Sequence, residues 1–76
     1  MNHIPWDDFR LVKAIADTRS LTGAATELGI NHSTVFRRLS DLEKRLGTVL
    51  FERHRTGYGL TPAGDEMAQL AARMDE

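Results

Sequence analysis

The segment Asn31-His32-Ser33-Thr34-Val35-Phe36-Arg37-Arg38-Leu39-Ser40-Asp41-Leu42-Glu43-Lys44-Arg45-Leu46 decides how this chain is read. Taken as a helix, it sets Val35, Leu39, Leu42 and Leu46 at i, i+4, i+7 and i+11, which makes one apolar stripe. His32, Ser33, Phe36, Arg37 and Ser40 fall away from that stripe, toward the N-terminal end. They offer donors, an acceptor, a cation and one apolar ring. Such a helix packs on one side and presents chemistry on the other.

Working upstream, Asn31 suits the N-cap of this helix, Gly29 supplies a positive φ, and Ile30 buries in the turn between them. Before the turn, Leu21, Ala24, Ala25 and Leu28 mark a shorter helix over about Leu21 to Leu28, with Ser20 as its cap. Its two alanines keep the apolar face thin, so another helix can cross it at close range. Helix, glycine-containing turn, helix is the helix-turn-helix unit. A plain αα-hairpin fits the spacing but leaves the polar, partly basic face of the third helix without a reason. Further upstream, Pro5, Asp7 and Asp8 open a first helix over about Trp6 to Thr18. Trp6, Phe9, Val12, Ile15 and Ala16 are its expected core stripe, and the chain before Pro5 is expected to fray.

Downstream, Gly47 stops the third helix, and Val49-Leu50-Phe51 followed by Tyr58-Gly59-Leu60 predicts a small β-hairpin, a wing over about 49–60 with its tip at Arg55 to Gly57. Two strands are unstable alone, so Leu50, Phe51 and Leu60 are expected to pack on the helices. Thr61-Pro62 starts a last helix whose stripe is Ala63, Met67, Leu70, Ala71 and Met74. That pattern is still running at Glu76, so the expectation is a truncated chain, its last helix folded back at one end and pairing at the other. The predicted fold is mainly α: a winged helix-turn-helix with a three-helix core, a two-stranded β wing and a C-terminal linker helix.

Composition narrows the function. At 76 residues there is room for one small domain. The absence of cysteine excludes disulfides and thiolate metal sites, and no apolar run reaches the ~20 residues of a membrane span. A soluble, cytoplasmic protein is expected. The net charge of −1 hides an uneven distribution. Arg37, Arg38, Lys44, Arg45, Arg53 and Arg55 against Asp41, Glu43 and Glu52 leave residues 32–58 at +3, while both flanks are negative. Positive charge thus gathers where phosphates could be met. Catalysis has no support: His3, His32 and His54 lie in separate elements, with no metal-binding helix motif, phosphate loop or serine elbow. No metal or cofactor is expected. The rival reading is a winged helix used only for protein docking.

Several pieces now combine. Ser20 to Val35 (SLTGAATELGINHSTV), Arg38 to Gly47 (RLSDLEKRLG), Leu50 to Arg53 (LFER) and Leu60 to Gly64 (LTPAG) resemble, in order and spacing, the N-terminal DNA-binding domain of LysR-type transcriptional regulators. The resemblance covers essentially the whole chain. It implies a bacterial-type transcriptional regulator whose residues 1–60 form the DNA-binding domain. Residues 61–76 would begin a linker helix that pairs two subunits and leads to an absent effector-sensing domain. Any small-molecule effector would act only through that domain. The family usually starts its recognition helix with a Ser-Gln-Pro-like sequence and has a Ser-Arg pair one turn on. Here those positions read Asn31, His32 and Ser33, then Phe36 and Arg37.

The expected partner is double-stranded DNA, with the helix over about 32–46 in the major groove. His32 and Ser33 can donate or accept at bases, and Arg37 can fork onto a guanine or grip a phosphate. Phe36 either meets a thymine methyl or packs back on the second helix or the wing. Asn31 and Ser40 complete this surface, Arg38, Arg53 and Arg55 are phosphate or minor-groove candidates, and Thr22 can donate to a phosphate. Met67, Leu70, Ala71 and Met74 are the expected homodimer contacts.

Overall fold

Three left-handed residues punctuate the helices. α1 (Trp6–Thr18) is capped by Arg19 at φ 57°, α2 (Leu21–Leu28) by Gly29 at φ 71°, and α3 (His32–Leu46) by Gly47 at φ 70°. The glycines take this conformation without a Cβ clash, whereas a left-handed non-glycine residue costs roughly 1–2 kcal/mol. The N-termini are capped as the sequence predicts: Ser20 Oγ accepts from the Gly23 N–H at 2.6 Å, and Asn31 Oδ1 from the Ser33 N–H at 2.8 Å. The protein is seen in a computed structural model that describes residues 4–74. The fraying expected at the start falls partly on residues 1–3, outside those described.

After α3 come β1 (Phe51–His54), β2 (Gly57–Leu60) and α4 (Pro62–Met74). The strands are antiparallel, with Phe51 opposite Leu60, Glu52 opposite Gly59, Arg53 opposite Tyr58 and His54 opposite Gly57. The hairpin is therefore tighter and lies further along the chain than its hydrophobic run predicts. Val49 and Leu50 are not paired in it; they tie the sheet to its neighbours. The Leu50 N–H donates to Glu43 Oε2 at 2.8 Å, the Leu50 carbonyl accepts from the Thr61 N–H, and the Val49 carbonyl from Thr61 Oγ1.

The core joins Leu11, Val12 and Ile15 of α1, Ala24 and Ala25 of α2, Val35, Leu39 and Leu42 of α3, Leu50, Phe51 and Met67. The stripe expected on α1 needs correction. Leu11 and Ala14 are fully buried, whereas Trp6 is 38% exposed and Phe9 and Ala16 lie at the margin. The reason is that α1 packs against both α2 and α4, so it buries more of its circumference than one amphipathic stripe. Leu60 is also more exposed than expected, while Leu50 and Phe51 are buried. Phe51 meets Tyr58 edge-on at 6.4 Å between ring centroids, which ties the two strands of the wing together.

Candidate nucleic-acid interface

The apolar stripe of α3 has a polar counterpart. Ser33, Arg37, Ser40 and Lys44 repeat the spacing of Val35, Leu39, Leu42 and Leu46, shifted by two residues. At ~100° per residue that shift turns the row about 200° away from the core. Val35, Leu39 and Leu42 are buried; Ser33, Arg37 and Lys44 are exposed, and Ser40 is half-buried. Lys44 therefore belongs to this face, although the sequence reading did not single it out.

The first turn of α3 is already organised by its own cap. Ser33 Oγ donates to Asn31 Oδ1 at 2.6 Å, and the same oxygen accepts from the Ser33 backbone N–H. In this arrangement the Asn31 amide group keeps its donors and Ser33 keeps acceptor capacity. His32 is exposed beside them. Phe36, one turn on, is 53% exposed and lies outside the hydrophobic core.

The cations divide by location. On the α1 side, Arg45 pairs with Asp8 at 3.0 Å, Lys13 with Asp17 at 2.9 Å, and Arg10 with Asp7 at 3.9 Å. Arg38 leans the same way, its Nη2 lying 3.5 Å from the Asp7 carbonyl oxygen. Like Arg38, residues Arg19, Arg37, Lys44, Arg53, Arg55 and Arg73 have no carboxylate partner among the described residues. Five of these come from the α1–α2 turn, the outer face of α3 and the wing, while Arg73 lies in the last turn of α4. Most of the unneutralised charge thus lies on one set of neighbouring elements, as a polyanion would require.

The wing holds its own cations in different ways. The Arg53 guanidinium lies 5.7 Å from the centre of the Tyr58 ring, on the strand face that also carries Phe51. Arg55 sits in the turn between the strands and is exposed. His54 lies 3.4 Å from Glu52 Oε1 and covers Gly59, where a Cβ would come within 2.8 Å of the ring. Thr22 is exposed in the first turn of α2, without a side-chain partner. The sequence reading missed Arg19, because a left-handed helix end is announced by glycine and not by arginine.

The last helix divides its predicted pairing residues. Met67 and Ala71 are buried in the domain's own core or against it, while Leu70 is 40% and Met74 51% exposed. No group of three or more histidine, cysteine or acidic side chains among the described residues could hold a metal ion. No helix of the described residues is long and apolar enough to cross a membrane.

Known proteins share this architecture. Residues 6–65 match the family described as bacterial regulatory helix-turn-helix protein, lysR family. An uncharacterized HTH-type transcriptional regulator of Mycobacterium tuberculosis is 46% identical over 68 residues, which are 90% of this chain and 22% of that protein. The HTH-type transcriptional regulator CzcR of Bacillus subtilis is 42% identical over 67 residues, 88% of this chain and 23% of the relative. The chain thus spans less than a quarter of the length of these curated relatives. Among solved structures, the BenM DNA-binding domain in complex with catB site 1 DNA superposes with a TM-score of 0.86 at 30% identity, covering 93% of this chain and 80% of that one. The CbnR DNA-binding domain bound to DNA gives 0.83 at 30% identity, covering 93% and 82%. The four helices and two-stranded wing are those of a winged helix-turn-helix, and the chain belongs to the LysR family of bacterial regulatory helix-turn-helix proteins.

Proposed function

We propose that this chain is the DNA-binding part of a bacterial transcriptional regulator and reads double-stranded DNA by sequence. The observation that carries the reading is the cation placement just described: Arg37 and Lys44 on the outer face of α3, with Arg53 and Arg55 on the wing, have no carboxylate partner among the described residues. The membership of the family and the DNA complexes of its neighbours agree with it.

In this reading the major groove, about 12 Å wide, receives the N-terminal half of α3. Arg37 and His32 face base edges, Arg37 with a rigid fork that can take the two acceptors of a guanine. The Phe36 ring meets a thymine methyl, an apolar contact that suits an exposed ring on a polar face. Asn31 and Ser33 contribute what their cap leaves free, a donor pair and an acceptor. Ser40, Lys44, Thr22 and Arg38 lie where they set position on the backbone, and Arg53 and Arg55 carry the wing to the backbone or minor groove.

Residues 61–76 begin the linker, and two copies pair through its exposed side at Leu70 and Met74. A two-fold pair would set its recognition helices about 34 Å apart, one turn of duplex. Effector sensing belongs to the remainder of the longer protein, in the cytoplasm.

The test is selection of bound duplexes from a random pool. Enrichment of an inverted repeat supports both sequence reading and two-fold pairing. A pool without enrichment, together with binding that is indifferent to salt, would overturn the proposal.

A further inference from the structure

Arg19 is the one non-glycine residue with a positive φ among the described residues, at 57°. Glycine takes this conformation readily, so a side chain here is held against local preference. Backbone strain of this kind points to a role for the residue that bears it. The rest of the fold does not supply that role, because the Arg19 guanidinium has no ion pair or side-chain hydrogen bond among the described residues.

What position 19 does have is the wing. The Tyr58 N–H donates to the Arg19 carbonyl at 3.0 Å. Gly57 lies so close that a Cβ there would stand 2.7 Å from that carbonyl oxygen and 3.5 Å from the Arg19 Cβ. The α1–α2 turn and the wing are therefore fastened to each other at one point. The hollow beside this contact is lined by Arg19, His54, Arg55 and Thr56, and no carboxylate lines it. His54 already lies beside Glu52. Two arginines from separate elements, neither with an ion pair among the described residues, thus line one hollow, and Arg19 also borders a second one that holds Asp65.

We infer that Arg19 and Arg55 form a phosphate-binding site at the junction of the α1–α2 turn and the wing, which grips one backbone phosphate of the duplex. The inference rests on the DNA-binding reading above and adds a residue to it. The ligand is a phosphodiester of the DNA backbone, because two cations and a hydroxyl gather there and no carboxylate lines the hollow to oppose an anion. The two guanidiniums converge on the phosphate oxygens with charge-assisted hydrogen bonds. The wing contact ties the backbone at Arg19 to the strand that follows Arg55, and Gly57 lets it close.

The experiment measures the affinity of the full chain for a labelled random-sequence duplex across a salt series, with Arg19→Gln, Arg19→Gly and Lys44→Gln alongside the parent. One lost phosphate contact lowers the slope of log affinity against log salt by about 0.9. Both Arg19 variants are expected to lose that slope, and Arg19→Gly to do so with an unchanged or higher melting temperature. Loss of binding with preserved folding is what a structural role would not produce. If both variants keep the parent's slope while Lys44→Gln lowers it, the Arg19 site is wrong and the DNA reading stands. If Arg19→Gly binds like the parent and Arg19→Gln does not, turn geometry and not charge was responsible, and the site falls. A parent chain without salt-dependent duplex binding overturns both.

Discussion

The Arg45 guanidinium donates to the Asp8 carboxylate at 3.0 Å and fastens the last turn of α3 to the first turn of α1. The two ends of the bond are unequal, since the Asp8 side chain is 9% exposed and that of Arg45 54%. Removing the arginine strands a buried carboxylate, whereas removing the carboxylate returns a guanidinium to water. Arg45→Met should therefore cost about 1–3 kcal/mol in urea unfolding, the scale of a stranded buried acceptor. Asp8→Asn should cost less. Equal losses would show that packing, and not the ion pair, sets the contribution.

The start of α4 depends on the absence of a side chain at Gly64. A Cβ there would land on the Leu50 carbonyl oxygen, which belongs to backbone that also receives the Thr61 N–H. Backbone cannot swing aside as a flexible side chain can, so Gly64→Ala must move α4 or the wing. We expect a loss of about 1–3 kcal/mol, the usual range for overpacking, seen as a lower midpoint in thermal unfolding. A neutral result would mean that the α4–wing junction adjusts freely.

The helices were legible because their signals are local. Ser20 and Asn31 cap, Gly29 and Gly47 stop, and the stripe of α3 survives in the structure from Val35 to Leu42. The stripe of α1 was misread at Trp6 because periodicity identifies one buried face, and α1 has neighbours on two sides. Asp8 looked like a residue placed for the helix dipole, and only the tertiary fold brings Arg45 to it. The wing shifted along the chain for a similar reason. Val49 and Leu50 have strand-like chemistry, but Glu43 and Thr61 claim their backbone groups before β2 can. The polar face of α3 was visible in the sequence, while the pairing of some arginines and the freedom of others was not.

α4 has an inner and an outer side, and the two should respond differently to mutation. Met67 is 5% exposed in the core, so Met67→Ala should lower stability by about 2–5 kcal/mol, the range for truncating a buried side chain. Leu70→Asp replaces a side chain that is 40% exposed and should leave the monomer folded. In the proposed dimer it puts a carboxylate into the pairing face, so sedimentation should show a shift toward monomer with an unchanged circular dichroism spectrum. A monomeric parent, or a dimer indifferent to Leu70→Asp, would place the subunit contact elsewhere.

Arg37 and Phe36 sit side by side in the sequence of α3 but should fail in different ways. Arg37 is exposed and unpaired, so its removal disturbs no packing and no ion pair in the free protein. Arg37→Ala should leave the melting temperature in place and weaken binding to a selected duplex by about 1–3 kcal/mol, the worth of a forked base contact. Phe36 carries no charge, so it contributes nothing to counterion release, and Phe36→Ala should keep the salt slope of random-duplex binding. Its effect should instead fall on preference at one base pair, with tolerance of any base where the selected site has thymine. Competition binding with single-base variants of the selected duplex reads this directly. A uniform loss across all variants would assign the ring to general surface burial, and a lower melting temperature would assign it to the fold.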